Sequence, residues 1–204
     1  MSTLSLQRET ATRQKILDAA TQCVANVGLR RTTLTDVAKA AGLSRMTIYR
    51  HYGSVEEILQ DLMTSEFNSL IHDAIAFDPE DSAREVTRKE IVTSAIDALD
   101  KLTSHPLFVR LLAADPELLL PYMTQRPGRF QQHAEEILTA ALAAGKSSGA
   151  VRRDDPSRMA ASMILAMRGF AFVDKSNWSS RRRSQTLNDL AIMFDSLLAP
   201  ESER

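Results

Sequence analysis

The sequence is poor in residues that staple, break or turn a chain. Its 204 residues include one cysteine, Cys23, so no internal disulfide can form. Seven Gly and seven Pro are too few to punctuate many short strands. No stretch keeps the strict alternation of a half-buried strand for more than a few residues. No run approaches the roughly 18–20 apolar residues of a membrane span. The opening MSTLSLQRET lacks the basic start and apolar stretch of a secretory leader. These absences lead to the expectation of a cytoplasmic protein with no membrane partner.

The local signatures of catalysis are missing too. There is no HExxH or paired-Cys spacing, no GxSxG elbow, no Gly-rich phosphate loop and no dinucleotide fingerprint. His72, His105 and His133 are widely separated in sequence. No catalytic residue, metal site or cofactor is expected, and nothing recommends an enzyme.

What is present favours helix. Ala, Leu, Arg, Asp and Glu abound, and 44% of residues are apolar. Charge is unevenly placed. Residues 1–54 carry eight Lys/Arg against three Asp/Glu, whereas residues 55–204 carry 17 against 23. A basic small part joined to an acidic large part suggests that one end meets a polyanion.

The segment TRQKILDAATQCVANVG places Ile16, Leu17, Ala20, Val24 and Val27 on one helical face, with Gly28 as a left-handed stop. Cys23 falls beside that face as a small apolar group. In TTLTDVAKAAG, Thr33 and Asp36 have capping-box spacing, Val37, Ala38 and Ala41 point inward, and Gly42 ends the helix. Leu43 packs back and Ser44 caps a third helix, in which Ile48 and Tyr52 share the buried face. Two short helices, a Gly turn and a small Ala at the crossing make a helix-turn-helix. Ser54 and Glu57 then open a helix of about 24 residues, about 36 Å long.

In the third helix the outward residues are Arg45, Met46, Thr47 and Tyr49, with Arg50 and His51 beside them. A B-DNA major groove admits one helix; Arg pairs with guanine, and Met or Thr touches a thymine methyl. Tyr49, His51, Thr33 and Ser44 have donors for phosphate.

Residues ~12–62 resemble the DNA-binding domain of TetR-type (tetracycline-repressor-like) transcription regulators. The resemblance is carried by ILDAA (16–20), Gly28, TTLTDVAKAAGLSRMTIYRHYGS (32–54) and EEIL (56–59). It implies an all-α homodimer of about nine helices per chain, with three N-terminal helices on DNA and a C-terminal bundle for effector binding and dimerisation. By position it puts Thr33, Ser44, Arg45, Thr47, Tyr49 and His51 at DNA, with Met46 and Arg50 as weaker transfers. One departure is Val55, where the family commonly has Lys and a phosphate contact; Arg30 and Arg31 are the candidates to compensate.

The expected organisation is an arm at 1–11, a DNA-binding domain at 12–53, a connecting helix at 54–77 and an effector-binding and dimerisation domain at 78–204. In the last, helical stripes include Val92, Ala95, Ile96, Leu99 and Leu102, then Phe130, Ala134, Ile137, Leu138, Ala141 and Leu142. Asp155 caps a helix with Pro156 at its first position; this helix is apolar nearly all round, so more than one side should be buried. The resemblance implies a dimer through the last two helices, ~156–175 and ~184–199. Met159, Met163 and Met167 lie four apart with Phe170 one turn on, either as a soft pocket wall or as core and dimer packing. Phe108, Phe130, Met163, Met167 and Phe170 are the candidate ligand residues, with Tyr122, Phe172 and Trp178 further pocket candidates. The RRR at 181–183 reads as a solvated loop.

The functional expectation is a repressor on a near-palindromic double-stranded operator, released by an unknown small apolar effector. The alternatives are an activator of the same type, or a helical small-molecule-binding protein whose helix-turn-helix no longer serves DNA.

Overall fold

No Pro or Gly interrupts the chain before Gly28, and the computed structural model shows one unbroken helix up to it. Helix α1 spans Thr3–Val27. The structure describes residues 3–75, 85–114, 128–173 and 175–200. Most of the segment expected as an arm at 1–11 is therefore helical, since nothing in its sequence stops a helix from propagating. Gly28 stops it, at φ 79°, and a 3-10 turn, Leu29–Arg31, follows.

Helix α2 spans Leu34–Ala41 and α3 spans Arg45–His51. Each starts where a cap is written into the sequence. The Thr33 hydroxyl accepts from the Asp36 N–H, and the Asp36 carboxylate accepts from the Thr33 N–H at 3.0 Å. Ser44 Oγ accepts from the Thr47 N–H at 3.1 Å. Between them Gly42 takes the left-handed conformation, φ 64°, which lets its N–H and that of Leu43 close on carbonyls of α2.

Helix α4 spans Val55–Ala74, about 30 Å at 1.5 Å per residue. Glu57 N–H bonds Ser54 Oγ as expected, but the Glu57 carboxylate accepts from the Gly53 N–H rather than closing on Ser54. The chain divides into two units, Met1–Glu66 and Phe67–Arg204, so the division falls inside α4 and not at either end of it. Neither half is a bare connector, because both are buried. Val55, Ile58, Leu59 and Leu62 join the first unit's core with Ile16, Leu17, Ala20, Val24, Val37, Ala38 and Ile48. Each Val, Leu or Ile side chain among these stabilises by about 1.5–3 kcal/mol. Ala41, expected inward, is only half-buried.

The second unit is also helical. Its further elements are α5 (Arg88–Ser104), α6 (Pro106–Ala114), α7 (Arg129–Ser148), α8 (Pro156–Phe172) and α9 (Ser180–Leu198). Among the described residues there are nine α-helices and no strand. Thr87 and Glu90 form a capping box on α5, and Asp155 caps α8 ahead of Pro156. Phe67, Ile91, Leu99, Phe108, Leu142, Met159, Met163, Phe194 and Leu198 are core.

Helix α8 buries Met159, Ala160, Met163, Phe170 and Ala171 but leaves Leu165 68% exposed, and on α9 Ile192 is 57% exposed. One expectation changes here. The RRR run is not a solvated loop. It lies in the first turn of α9, where Arg183 bonds Asp100 and Thr103 and Arg182 lies over the Trp178 ring at 4.6 Å.

Candidate nucleic-acid interface and ligand cavity

Helix α3 has only seven residues and one fully buried side chain, Ile48. That is too short to be stable alone. It is held at its start by the Ser44 cap, in its middle by Ile48 and at its end by Tyr52. Tyr52 leaves the helix in an extended conformation, and its N–H closes on the Ile48 carbonyl at 2.9 Å. Its ring is buried, as expected from the spacing with Ile48.

This anchoring turns one side outward. Arg45, Met46, Tyr49 and Arg50 are exposed, Met46 by 77% and Tyr49 by 55%. At 3.6 residues per turn they fall within an arc of about 140°. Thr47 and His51 are half-buried and fall outside this arc. No acidic residue lies in α3, so the exposed arc combines two guanidinium groups, a phenol and a thioether without a competing carboxylate.

The two cap residues differ. Both Thr33 donors are directed to Asp36, the hydroxyl at 2.6 Å and the N–H at 3.0 Å. These bonds hold the Asp36 carboxyl below the usual carboxylate range. The Ser44 hydroxyl is exposed and shares a 2.8 Å bond with the Thr47 hydroxyl. Val55, where a phosphate-binding Lys was the expectation, is buried and serves packing. Arg31 directs its Nε to the Val27 carbonyl at the end of α1, at 2.8 Å. Cys23 is half-buried and its thiol is pushed up, by burial first and then by Asp36, which keeps it protonated and unreactive.

Sequence spacing did not reveal a cluster behind α3. Asp61 on α4 receives both Arg13 Nε at 2.7 Å and Arg13 Nη2 at 2.6 Å, and it also accepts the Tyr52 hydroxyl. Arg13 and Asp61 are 48 positions apart, so no local pattern links them.

Within the second unit lies a cavity of about 600 Å³ of empty space, counting its open mouth. Helix α4 supplies Phe67, Leu70 and Ile71, and α8 supplies Ile164, Met167, Arg168 and Ala171. Phe108, Phe130 and Phe172 complete its aromatic wall, and Gln131 and Arg168 are its only polar lining among the described residues. Of the candidate ligand residues, Phe108, Phe130 and Met167 therefore line it. Met163 and Phe170 are not among its lining residues. They share an adjacent strip of α8, where Met163 is core and Phe170 packs against Trp178, ring centres 5.9 Å apart. Tyr122 lies outside the described residues. Among the described residues no three potential metal ligands cluster, and no helix is long and apolar enough to cross a membrane.

Residues 16–62 match the profile of the bacterial regulatory proteins of the tetR family. The chain is 34% identical over 163 residues to the HTH-type transcriptional regulator Mb2274c of Mycobacterium bovis, spanning 79% of this chain and 82% of that one. It is 25% identical over 199 residues to the HTH-type transcriptional repressor KstR2 of Rhodococcus jostii, 93% of each. Its fold is similar to that of the transcriptional regulator FadR from Bacillus subtilis, solved with stearoyl-CoA, with a TM-score of 0.60 at 20% identity over 91% of this chain and 99% of that one.

Proposed function

Because the chain belongs to the TetR family of bacterial regulatory proteins and is a transcriptional regulator, we propose that it acts as a homodimeric repressor. In this reading α3 of each protomer enters a major groove of a near-palindromic operator, and a small apolar effector in the second unit's cavity releases it. The two-sided α3 carries the reading. Its buried side fixes the helix, and its exposed side gathers Arg45, Met46, Tyr49 and Arg50 with no carboxylate.

Arg45 and Met46 are the base readers, since they occupy the exposed first turn, the end of a recognition helix that reaches base edges. Tyr49, Arg50 and Ser44 hold phosphates, with Thr47 and His51 at the edge of the contact. Thr33 contributes a phosphate contact only by giving up a bond to Asp36. The dimer forms through α8 and α9, whose exposed Leu165, Ile192 and Met193 are apolar groups that a second copy would cover. The effector is an apolar molecule, because aromatic and aliphatic groups make up nearly the whole cavity wall. Its coupling to DNA is of order 1–3 kcal/mol and reciprocal, so operator DNA weakens effector binding equally.

Selection of duplexes from a random library tests the reading. A palindromic site should be enriched, bound with a log–log salt slope near about −7 for about eight phosphates per dimer. Arg45→Ala should lose about 1–3 kcal/mol of discrimination at one base pair. Tyr49→Phe should weaken all sequences alike. No enrichment, or an affinity independent of salt, overturns the reading.

A further inference from the structure

Asp61 is a meeting point for three elements of the first unit. Arg13 of α1 grips it with two nitrogens, and Tyr52, at the end of α3, donates its hydroxyl to the same Oδ2 that takes Arg13 Nε. The carboxylate side chain is only 16% exposed. Burial, then the bond to Asp61, pushes the Tyr52 hydroxyl well up, so it remains a donor.

Packing alone does not call for this arrangement. A phenyl ring at position 52 would fill the same buried space without bringing a hydroxyl and a carboxylate out of water. Burying polar groups costs free energy that their mutual bonds only roughly offset, so such clusters define a geometry more than they stabilise a fold. Here the geometry is that of the last turn of α3. Tyr49 and Arg50 lie within the turn before Tyr52, and the helix is too short to be held by its own hydrogen bonds. Asp61 lies on the first part of α4, which Ile58, Leu59 and Leu62 anchor in the core of the same unit.

We infer that Asp61 is a latch: by holding the Tyr52 hydroxyl and the Arg13 guanidinium on one carboxylate it positions the exposed face of α3 for DNA. Tyr52, Arg13 and Asp61 are positioning residues that touch no DNA themselves. The inference rests on the reading of α3 as the DNA-contacting helix.

Tyr52→Phe keeps the ring and the Arg13–Asp61 pair and removes only the hydroxyl. The wild-type chain first selects a duplex from a random library; a scrambled duplex of equal length is the non-specific probe. The variant should bind the selected duplex about tenfold more weakly, the scale of one hydrogen bond to a charged group. Its affinity for the scrambled duplex and its salt slope should be unchanged, because no phosphate-binding group is lost. A loss of packing without a positioning role would not move the ratio of the two affinities. Arg13→Gln, which opens the latch from the other side and leaves the Tyr52 ring untouched, should give the same selective loss. Binding of the selected duplex within about twofold of wild type by both folded variants, or equal loss on both duplexes, overturns the latch. If the wild-type chain enriches no duplex, the latch and the reading beneath it fall together.

Discussion

Replacing Arg183 by Ala sets a tertiary contact against the appearance of a charge run. Arg183 Nη2 lies 2.5 Å from Asp100 Oδ1, 2.6 Å from Thr103 Oγ1, 3.0 Å from Ser104 Oγ and 3.1 Å from the Asp100 carbonyl. Its Nε is 3.1 Å from Asp100 Oδ1, and the guanidinium is 5.7 Å from the centre of the Phe170 ring. One nitrogen carries two hydrogens, so these contacts are shared and do not add. The Asp100 side chain is 49% exposed, which limits the ion pair to about 1 kcal/mol or less. The bond to Thr103, whose side chain is buried, adds about 1 kcal/mol, and the ring contact about 0.5 kcal/mol. Truncation should therefore cost about 2 kcal/mol. For a chain of this size that lowers the thermal midpoint by about 4–8 °C. The assay is thermal unfolding followed by circular dichroism at one fixed protein concentration, since a dimer's midpoint shifts with concentration. Arg181→Ala is the internal control. Its side chain is exposed, and a surface substitution of this kind stays within about 0.5 kcal/mol. If the two variants melt together, Arg183 is a solvated surface charge and the reasoning fails.

Three further outcomes are expected. Leu165→Glu combined with Ile192→Glu should shift sedimentation toward the monomer without lowering helix content; an unchanged sedimentation coefficient rules out the α8–α9 face. Ala134→Phe should narrow the cavity and weaken binding of decanol by about tenfold or more while operator affinity without ligand stays unchanged; calorimetry reads the first and fluorescence anisotropy the second, and full decanol affinity removes the cavity as the site. The Asp36 carboxyl is lowered by its bonds to Thr33, so the stability it adds is complete above its ordinary value of 3.8 and is lost as pH falls below that. The midpoint difference between wild type and Asp36→Ala should accordingly be full at pH 6 and shrink below pH 3.8; a difference that grows in acid contradicts the cap.

The helix-turn-helix was legible because its determinants are local. The Thr33–Asp36 box, the Ser44 cap and the left-handed Gly28 and Gly42 act between residues no more than five apart. Spacing alone put Ile48 and Tyr52 inward and Arg45, Met46, Thr47 and Tyr49 outward with Arg50 and His51 beside them; of these six, Thr47 and His51 are half-buried. The start of α1 was misjudged for a related reason: the sequence has a clear stop at Gly28 but no start signal, and without one the helix runs on to Thr3. On α8, periodicity could show an apolar helix but not which strip of it meets a void. Ile164, Met167, Arg168 and Ala171 line the cavity, while Met163 and Phe170 lie on the strip beside them.

What the sequence determined by itself is where α1 and α2 end and where α2 and α3 begin, because hydrogen bonds three to five residues apart decide that before any long-range contact forms. What only the tertiary structure decided is partnership. Arg13 with Asp61 and Arg183 with Asp100 join residues 48 and 83 positions apart, and the cavity gathers α4, α5, α6, α7 and α8. A charge or an aromatic ring looks the same in a sequence whether it faces water, a neighbour or a void; only the folded path of the chain chooses among them.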